Sequence, residues 1–245
     1  MPGTGGPWLG ARARRTVIDM TTALVTGASR GIGAHAARRL AAQGVTVLAG
    51  ARTPAATSFP EENIHPIALD VTDDASVAAA VKEVETTYGG LDVLVNNAGI
   101  TGPEVAPADA TADGVREAYE TNVFGPVRVT HAFLPLLRAA EHPRLVLVSS
   151  QLGSLSSMDA GRWENYPYLA YPSSKSALNM IGLMYAKTLP DVLVTIVNPG
   201  FTATEFNDHR GSQTLDEGTD ALVAAVLDTE GPSGRSTSRN GLIPW

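Results

Sequence analysis

The chain has 245 residues, of which 44% are hydrophobic and 18% are charged, values typical of a globular protein with a substantial buried core. Its net charge is −7, and the first 19 residues hold three arginines against one aspartate, so the remainder is strongly acidic and poorly suited to binding nucleic acid. The apolar runs are too short to cross a bilayer, so we expect a cytoplasmic protein without a membrane partner.

The chain has no cysteine, which excludes disulfides, thiolate metal sites and thiol nucleophiles. Its five histidines lack the spacing of metal ligands, so we expect no metal site. Residues 1–19 begin with a run rich in glycine and proline and are expected to be disordered; Met20, directly before the first strand, suggests that they derive from an upstream start. Residues 20–245 are expected to form a single domain.

From Thr22 onward, short apolar runs typical of strands alternate with segments of helical periodicity. Such alternation implies right-handed β-α-β crossovers and therefore a single-domain, Rossmann-type α/β fold, a doubly wound parallel sheet with helices on both faces. Ligands of this fold bind beyond the carboxyl ends of the strands. The predicted strands are 23–26, 45–49, 64–69, 91–95, 145–149 and 193–197, and the predicted helices are 31–43, 73–88, 111–139, 171–189 and 216–228.

The first predicted strand runs into a glycine-rich turn and then directly into a helix. Glycine permits a tight turn and close backbone approach, while the free N–H groups and dipole of a helix N-terminus favour a pyrophosphate. In this strand-turn-helix context the pattern predicts dinucleotide binding. The candidate contacts in the turn are Gly27, Ser29, Arg30, Gly31, Ile32 and Gly33.

The same turn also matches G-x-S-x-G, the nucleophile elbow of α/β-hydrolases, through Gly27, Ser29 and Gly31. A hydrolase needs an acid and then a histidine later in the chain, and the late histidine, His209, lies in a polar segment without strand character. Gly33 would also be unexplained, which makes this the weaker alternative.

Charge at the end of the second strand favours NADPH/NADP+ over NAD. An NAD site usually places a carboxylate there to bind the ribose 2′-hydroxyl, whereas an NADP site needs cations for the 2′-phosphate. This strand is followed by Arg52, the next acid is Glu61, and Arg30 can reach the same corner. Two guanidinium groups suit a phosphate, although Arg52 at the start of a solvated loop is the alternative interpretation.

Tyr171 and Lys175 lie four positions apart in a predicted helix, so both side chains project from one face. A cation beside a phenol favours the phenolate and is expected to lower the tyrosine pKa toward the working range of a general acid or base. This spacing also occurs on ordinary solvated helices, so the pair gains meaning only from its context.

Several further motifs occur in an order that resembles the short-chain dehydrogenase/reductase family, in its carbonyl-reductase-like branch. The resemblance runs from Thr22 to about Thr204 and implies a catalytic set of Asn122, Ser150, Tyr171 and Lys175. Tyr171 would exchange a proton with the substrate oxygen, Lys175 would bind the nicotinamide ribose and lower the tyrosine pKa, and Asn122 would hold a water beside Lys175. The motifs are Thr26 to Gly33, Asp70-Val71, Asn96-Asn97-Ala98-Gly99, Asn122, Ser149-Ser150, Tyr171 to Lys175 and Asn198-Pro199-Gly200.

By the same resemblance, Ser150 would hydrogen-bond the carbonyl oxygen as charge develops there. Ser150 is preferred to Ser149 because the family's serine stands three residues before a glycine, here Gly153. The resemblance also extends the cofactor site beyond the glycine turn, Arg52, Tyr171 and Lys175. The added contacts are Asp70 and Val71 for adenine, Asn97, Ala98 and Gly99 for the adenosine ribose, and Pro199, Gly200, Thr202 and Thr204 for the carboxamide and phosphates.

The chain departs from the family pattern in two places. Ser150 and Tyr171 are 21 positions apart, several more than is usual, and the aromatic loop between them would either shape an apolar pocket or form a surface excursion. The usual final strand and glycine pair are not recognisable after Gly231, so a monomer or dimer is expected in place of the family tetramer. The extra residues of the loop include Met158, Trp163, Tyr166 and Tyr168.

These observations predict the NADPH-dependent reduction of a ketone or aldehyde to an alcohol, with Tyr171 as the general acid. The loop, Phe201 and Phe206 suggest a small apolar carbonyl substrate, although side chains alone do not fix a pocket. Two alternatives remain open: an NADP-dependent alcohol dehydrogenase acting in the oxidative direction, and a dinucleotide-binding sensor without catalysis.

Overall fold

The structure is a computed structural model that describes residues 21–159 and 166–245. The leader predicted at residues 1–19 and Trp163 of the aromatic loop lie outside the described residues. The described chain forms one eight-stranded sheet in the order β3-β2-β1-β4-β5-β6-β7-β8, with every neighbouring pair parallel except the last. Its strands are β1 Thr22–Thr26, β2 Thr46–Ala51, β3 Ile64–Ala68, β4 Val93–Asn96, β5 Arg144–Val148, β6 Leu193–Val197, β7 Arg235–Ser238 and β8 Gly241–Leu242.

Helices follow the strands and cover both faces of the sheet. The helix predicted at 111–139 is interrupted by a π turn, Glu120–Phe124, which contains Asn122. Such wide turns often occur at functional sites. The α-helices are α1 Gly31–Ala41, α2 Asp74–Glu83, α3 Ala112–Tyr119, α4 Gly125–Arg138, α5 Leu155–Asp159, α6 Ala170–Thr188 and α7 Leu215–Leu227.

The strands form this sheet because alternate residues bury apolar side chains on opposite faces. In β1, Ala23 and Val25 pack with α1 and α7, whereas Leu24 packs with α2, α4 and α6. The parallel strands therefore place their carboxyl ends at one edge. The loops that leave β1, β4, β5 and β6 at this edge contain the glycine turn, Asn97, Ser150 and Pro199.

The predicted Rossmann-type fold is confirmed, and the six predicted strands and five predicted helices are all present; the strand at 193–197 has the predicted ends, and the ends of the others differ from those predicted. A final strand that is not recognisable in the sequence is nevertheless present: β7 pairs in parallel with β6, and β8 then pairs with the outer edge of β7. The strand was missed because its sequence is Arg-Ser-Thr-Ser, without an apolar run. Its one buried residue, Ser236, is held by a 3.0 Å hydrogen bond from Asn198 Nδ2. The missing final strand is therefore no longer a reason to doubt a tetramer. A monomeric or dimeric state of the protein stays a prediction.

Gly182 sets how closely α6 approaches the sheet. A methyl group at this position would lie 2.8 Å from Ile196 Cγ1 and 2.8 Å from Leu147 Cδ1, both of which are fully buried core atoms. Because close-packed interiors cannot absorb an extra carbon without movement, any larger residue would push α6 away from β5 and β6.

We expect Gly182→Ala to destabilise the protein by about 1–3 kcal/mol, since overpacking outweighs the gain of about 0.5–1 kcal/mol that alanine usually brings to a helix. Urea unfolding would measure this change. Gly90→Ala is the matched control, because a methyl group there would meet no atom of the described residues within 4 Å. Equal stability of the two variants would contradict the packing argument.

Candidate active site

The glycine turn after β1 is built against the segment that follows β4. Gly27 has φ +64°, which favours glycine, and a Cβ there would lie 2.8 Å from Ala98 Cα. Thr26 Oγ1 accepts hydrogen bonds of 3.0 Å from the N–H groups of Asn97 and Ala98. Asn97 Nδ2 in turn donates to the carbonyl oxygen of Thr26 at 2.8 Å. These bonds hold Asn97 and Ala98 beside the turn, and their contact with the adenosine ribose stays a prediction.

The N-terminus of α1 opens directly from this turn. Arg30 is the N-cap residue and is exposed, and its side chain makes no capping hydrogen bond within the described structure. The first turn of the helix, Gly31-Ile32-Gly33, contains no acidic residue. Its amides therefore keep the hydrogen-bonding capacity and dipole that suit a pyrophosphate. Ser29 lies exposed in the turn, and Ile32 packs against the core.

Arg52 and Asp70 follow the carboxyl ends of β2 and β3, close enough for the Arg52 charge to influence the pKa of Asp70. Burial tends to raise the pKa of Asp70, but hydrogen bonds from Thr72 and the charges of Arg52 and Arg128 lower it overall. Asp70 is therefore held as a carboxylate, with Thr72 Oγ1 donating to it at 2.7 Å. Arg52 itself is exposed and has a side chain available to a ligand at this corner. Val71 is buried and its carbonyl oxygen accepts a 2.7 Å hydrogen bond from Arg128 Nη1.

The two serines after β5 have different surroundings. Ser149 is buried, and its hydroxyl donates to Asn179 Oδ1 at 2.6 Å, which turns it toward the body of α6. Ser150 is partly exposed and lies close enough to the Tyr171 phenol to influence its pKa. The geometry therefore agrees with the choice of Ser150 over Ser149, although its role stays a prediction.

Gly153 allows the serine loop to lie directly on α6. A Cβ at Gly153 would be 2.6 Å from the backbone carbon of Lys175, so only glycine permits this approach. The Gly153 carbonyl oxygen accepts 3.0 Å hydrogen bonds from Ser176 Oγ and Asn179 Nδ2. This contact sets Ser150 and Tyr171 side by side although 20 residues separate them in the sequence.

Tyr171 and Lys175 are adjacent, but burial dominates their titration. Lys175 Nζ lies 5.6 Å from the centroid of the Tyr171 ring and donates to the Val148 carbonyl oxygen at 2.8 Å. Burial lowers the pKa of Lys175 to about 8. Burial also raises the pKa of Tyr171 above its ordinary value, and the Ser150 side chain opposes this rise. The expected lowering of the tyrosine pKa is therefore not what the structure shows, because desolvation of the phenolate outweighs the neighbouring groups.

Asn122 links the backbone of Ile100, after β4, to Ser174 of α6. Its Oδ1 accepts from the Ile100 N–H at 2.9 Å, and its Nδ2 donates to the Ile100 carbonyl oxygen at 2.8 Å and to Ser174 Oγ at 3.0 Å. The side chain is fully buried. A Cβ placed on Gly99 would lie 3.3 Å from Asn122 Oδ1 and 3.6 Å from Lys175 Nζ, so these groups share one small space.

The segment after β6 folds back over the glycine turn. Thr204 packs against Gly31, with its Cβ 3.7 Å from the position of a Cβ on that glycine. Thr202 is different, because its hydroxyl donates to the Pro199 carbonyl oxygen and its side chain packs beneath Gly218 of α7. The Thr202 side chain is therefore engaged within the protein, and its predicted contact with the cofactor stays a prediction. Gly200 has φ +80° and lies against the side-chain amide of Gln213, a contact that sequence reasoning missed.

Aromatic side chains surround the Tyr171 phenol. The Phe206 and Tyr171 rings are 5.6 Å apart, and Tyr166 is close enough to influence the pKa of Tyr171. Tyr166 itself packs edge-on against Tyr168 at 4.7 Å, and burial raises its pKa to about 12. The end of the aromatic loop therefore reaches the site. The sequence predicts that the loop and Phe206 face an apolar substrate, but no local sequence pattern shows which of these side chains contacts Tyr171.

Residues 21–215 match the family described as short chain dehydrogenase, which is most of the chain. The chain belongs to this family. Its members are oxidoreductases that bind a nicotinamide dinucleotide. The α/β-hydrolase alternative is thereby excluded, and Ser29 belongs to the dinucleotide turn. Within the part of the chain that the structure describes, no helix is both long enough and apolar enough to span a membrane.

Three relatives illustrate the similarity. The short-chain dehydrogenase anuI of Penicillium roqueforti is 37% identical over 225 residues, which cover 84% of this chain and 88% of the relative. The (+)-neomenthol dehydrogenase of Arabidopsis thaliana is 31% identical, with coverage of 89% and 95%. The crystal structure of an NADPH-bound carbonyl reductase from chicken fatty liver has a TM-score of 0.81 and 28% identity, covering 91% of this chain and 98% of that one.

The hydrogen bonds of Asn122 predict a structural cost for its removal. Asn122→Ala would leave the Ile100 N–H and carbonyl groups without these partners, and each unpaired buried group costs about 1–3 kcal/mol. We therefore expect a marked loss in the free energy of unfolding, measured in urea. Asn240→Ala is the control, because this residue is exposed and should change stability by less than about 0.5 kcal/mol. Asn122→Ala with the stability of the control would show that its bonds to Ile100 contribute nothing.

Proposed function

We propose that this protein is an NADPH-dependent ketone or aldehyde reductase in which Tyr171 protonates the carbonyl oxygen. The observation that carries this proposal is the meeting of Ser150, Tyr171 and Lys175 at the carboxyl edge of the sheet, beside the glycine turn. Several family relatives are named as reductases, including (-)-isopiperitenone reductase of Mentha piperita and salutaridine reductase of Papaver bracteatum.

The cofactor side of the site fits a dinucleotide phosphate. The uncapped first turn of α1 would hold the pyrophosphate, and Arg30 and Arg52 would face the 2′-phosphate as two exposed cations. Asp70 and Val71 would contact adenine, and the segment from Asn97 to Gly99 would pass the ribose. When bound, NADPH supplies the hydride that is added to the carbonyl carbon.

The catalytic side of the site supplies the proton and stabilises charge. Ser150 would donate a hydrogen bond to the carbonyl oxygen as negative charge develops on it. Tyr171 would transfer its phenolic proton to that oxygen, and the Lys175 ammonium would stabilise the phenolate left behind. Because burial raises the pKa of Tyr171, the phenol carries its proton at neutral pH and is ready to act as an acid.

The substrate side of the site is apolar and aromatic. Phe206 lies against Tyr171, and Phe201 and Phe206 are both partly exposed on the segment that follows Gly200. Tyr166 also lies close enough to the phenol to influence its pKa. An apolar ketone or aldehyde would bury its surface against these rings while its oxygen meets Ser150 and Tyr171.

A carbonyl-substrate panel with NADPH, and with NADH in parallel, tests the proposal. We expect oxidation of NADPH with at least one apolar ketone or aldehyde and much slower use of NADH. Tyr171→Phe should bind NADPH normally but lose turnover by about 10²–10⁴-fold, which is the usual contribution of a general acid. Tyr119→Phe on α3 is the matched control and should retain turnover.

Each other outcome of the panel argues against one part of the proposal. Full activity of Tyr171→Phe would overturn the mechanism, and equal use of NADH would overturn the role of Arg30 and Arg52. Tight NADPH binding without turnover on any substrate would favour a sensor. Faster initial rates of alcohol oxidation than of carbonyl reduction at physiological pH would favour a dehydrogenase.

The pH dependence of reduction should report the charge of Lys175. This ammonium stabilises the phenolate only while it is protonated, and burial lowers its pKa to about 8. Tyr171 keeps its proton over the same range because its own pKa is raised. We therefore expect kcat/KM for reduction to fall as the pH rises through about 8, measured by initial rates from about pH 6 to about pH 10. A rate that rises over this interval would contradict the need for a charged Lys175.

A further inference from the structure

The segment that carries Ser150 is held from two sides. On one side, the Gly153 carbonyl oxygen is bound by Ser176 and Asn179 of α6. On the other side it meets residues 241–245, which we call the C-terminal strap. Residues 150–157, from the serine through the first turn of α5, are here called the serine segment.

Ser154 is the centre of the contact between the serine segment and the strap. It is 1% exposed, and its hydroxyl donates to the Pro244 carbonyl oxygen at 2.7 Å. The Ser154 hydroxyl oxygen also accepts a 3.2 Å hydrogen bond from the Ser157 N–H. One residue further on, the Ser156 N–H donates to the Trp245 carbonyl oxygen at 3.2 Å. The strap thus supplies one backbone acceptor to the Ser154 hydroxyl and one to the Ser156 amide in the first turn of α5, where amides have no partner within the helix.

The strap is itself fixed to the cofactor side of the site. The Ile243 N–H donates to the Ser236 carbonyl oxygen at 2.9 Å, continuing the antiparallel pairing of β7 with β8. β7 is tied to the residue before Pro199, because the Asn198 N–H donates to the Thr237 carbonyl oxygen at 2.8 Å. Hydrogen bonds therefore run from the segment at Pro199 and Gly200, through β7 and the strap, to the serine segment.

We propose that the C-terminal strap and Ser154 position the serine segment, so that Ser150 stands at the correct distance from Tyr171. The expected effect on catalysis rests on the proposed function. The contact between the strap and the serine segment does not depend on that function. Ser154 is a positioning residue, because its hydroxyl is directed to the strap and it acts through the loop that contains Ser150. Small displacements of an oxyanion-stabilising donor reduce the rate of the chemical step more than they reduce binding.

Three variants test this role. Ser154→Ala removes the hydroxyl that binds Pro244, and deletion of residues 244–245 removes both acceptors of the strap. Ser156→Ala is the matched control: it removes an exposed hydroxyl that lies 3.3 Å from Ser154 Oγ, but it keeps both the Ser154 bond to Pro244 and the N–H that donates to Trp245. Amide hydrogen exchange across residues 150–157 would be followed by mass spectrometry in all three variants and in the unaltered protein, without any substrate.

We expect exchange in the serine segment to become about tenfold faster in Ser154→Ala and in the deletion, and to stay unchanged in Ser156→Ala. With the best carbonyl found in the substrate panel, kcat should fall about tenfold in the first two variants while KM changes little. The NADPH dissociation constant should stay within about twofold of its original value, since the glycine turn and the arginines are untouched.

The outcomes separate this inference from the proposed function. If the unaltered protein reduces no carbonyl, the proposed function fails, and the exchange experiment still decides whether the strap holds the serine segment. Unchanged exchange in both Ser154→Ala and the deletion would overturn the inference whatever the activity. Parallel losses of kcat and NADPH affinity would also overturn it, because a general loss of structure, and not positioning of Ser150, would then be the cause.

Discussion

The site depends on keeping the ammonium of Lys175 out of water beside Tyr171. Burying a charge is costly unless its donors are satisfied, and the Val148 carbonyl oxygen at 2.8 Å supplies a partner from the end of β5. The sheet therefore determines where the ammonium lies. Gly153 then lets the serine segment rest on the backbone of Lys175, and Gly182 lets α6 rest on β5 and β6. Because all three contacts converge on α6, the geometry of Ser150, Tyr171 and Lys175 is a consequence of how closely this helix packs.

Two asparagine side chains, Asn122 and Asn97, join the loops that form the candidate site. Asn122 binds the Ile100 backbone after β4 and Ser174 of α6, and Asn97 binds the backbone of the glycine turn after β1. These amides satisfy buried polar groups at the points where loops meet, which gives each loop one defined position. Asn122 also lies in the π turn between α3 and α4, where the wider turn brings it to the shared space beside Gly99 and Lys175.

Much of this arrangement is predictable from the sequence, because the fold follows from local patterns. The alternation of apolar strands and periodic helices located all but two of the strands, and the glycine turn and the tyrosine-lysine spacing indicated the two halves of the site.

β7 was missed because its stability comes from pairing with β6 and from the bond between Asn198 and Ser236, neither of which leaves an apolar run. The pKa of Tyr171 was predicted in the wrong direction for a similar reason, since the extent of burial is a property of the packed structure. Contacts such as those of Phe206 with Tyr171, Gln213 with Gly200 and Ser154 with Pro244 join distant segments and have no local signature.

The raised pKa of Tyr171 changes the behaviour expected of Tyr171 and Lys175. A phenol with a lowered pKa would be poised to accept a proton, whereas a phenol with a raised pKa carries its proton and releases it only when a stronger base appears. In the proposed reduction, the carbonyl oxygen that receives a hydride would become such a base, so proton transfer would be favoured at the moment when the alkoxide forms. The phenolate left behind is the costly species in this buried site, and the neighbouring ammonium lowers that cost because opposite charges attract more strongly where water is excluded. Under the proposed function the pair would have complementary roles: Tyr171 would store the proton, and Lys175 would stabilise the anion that remains after the proton has left.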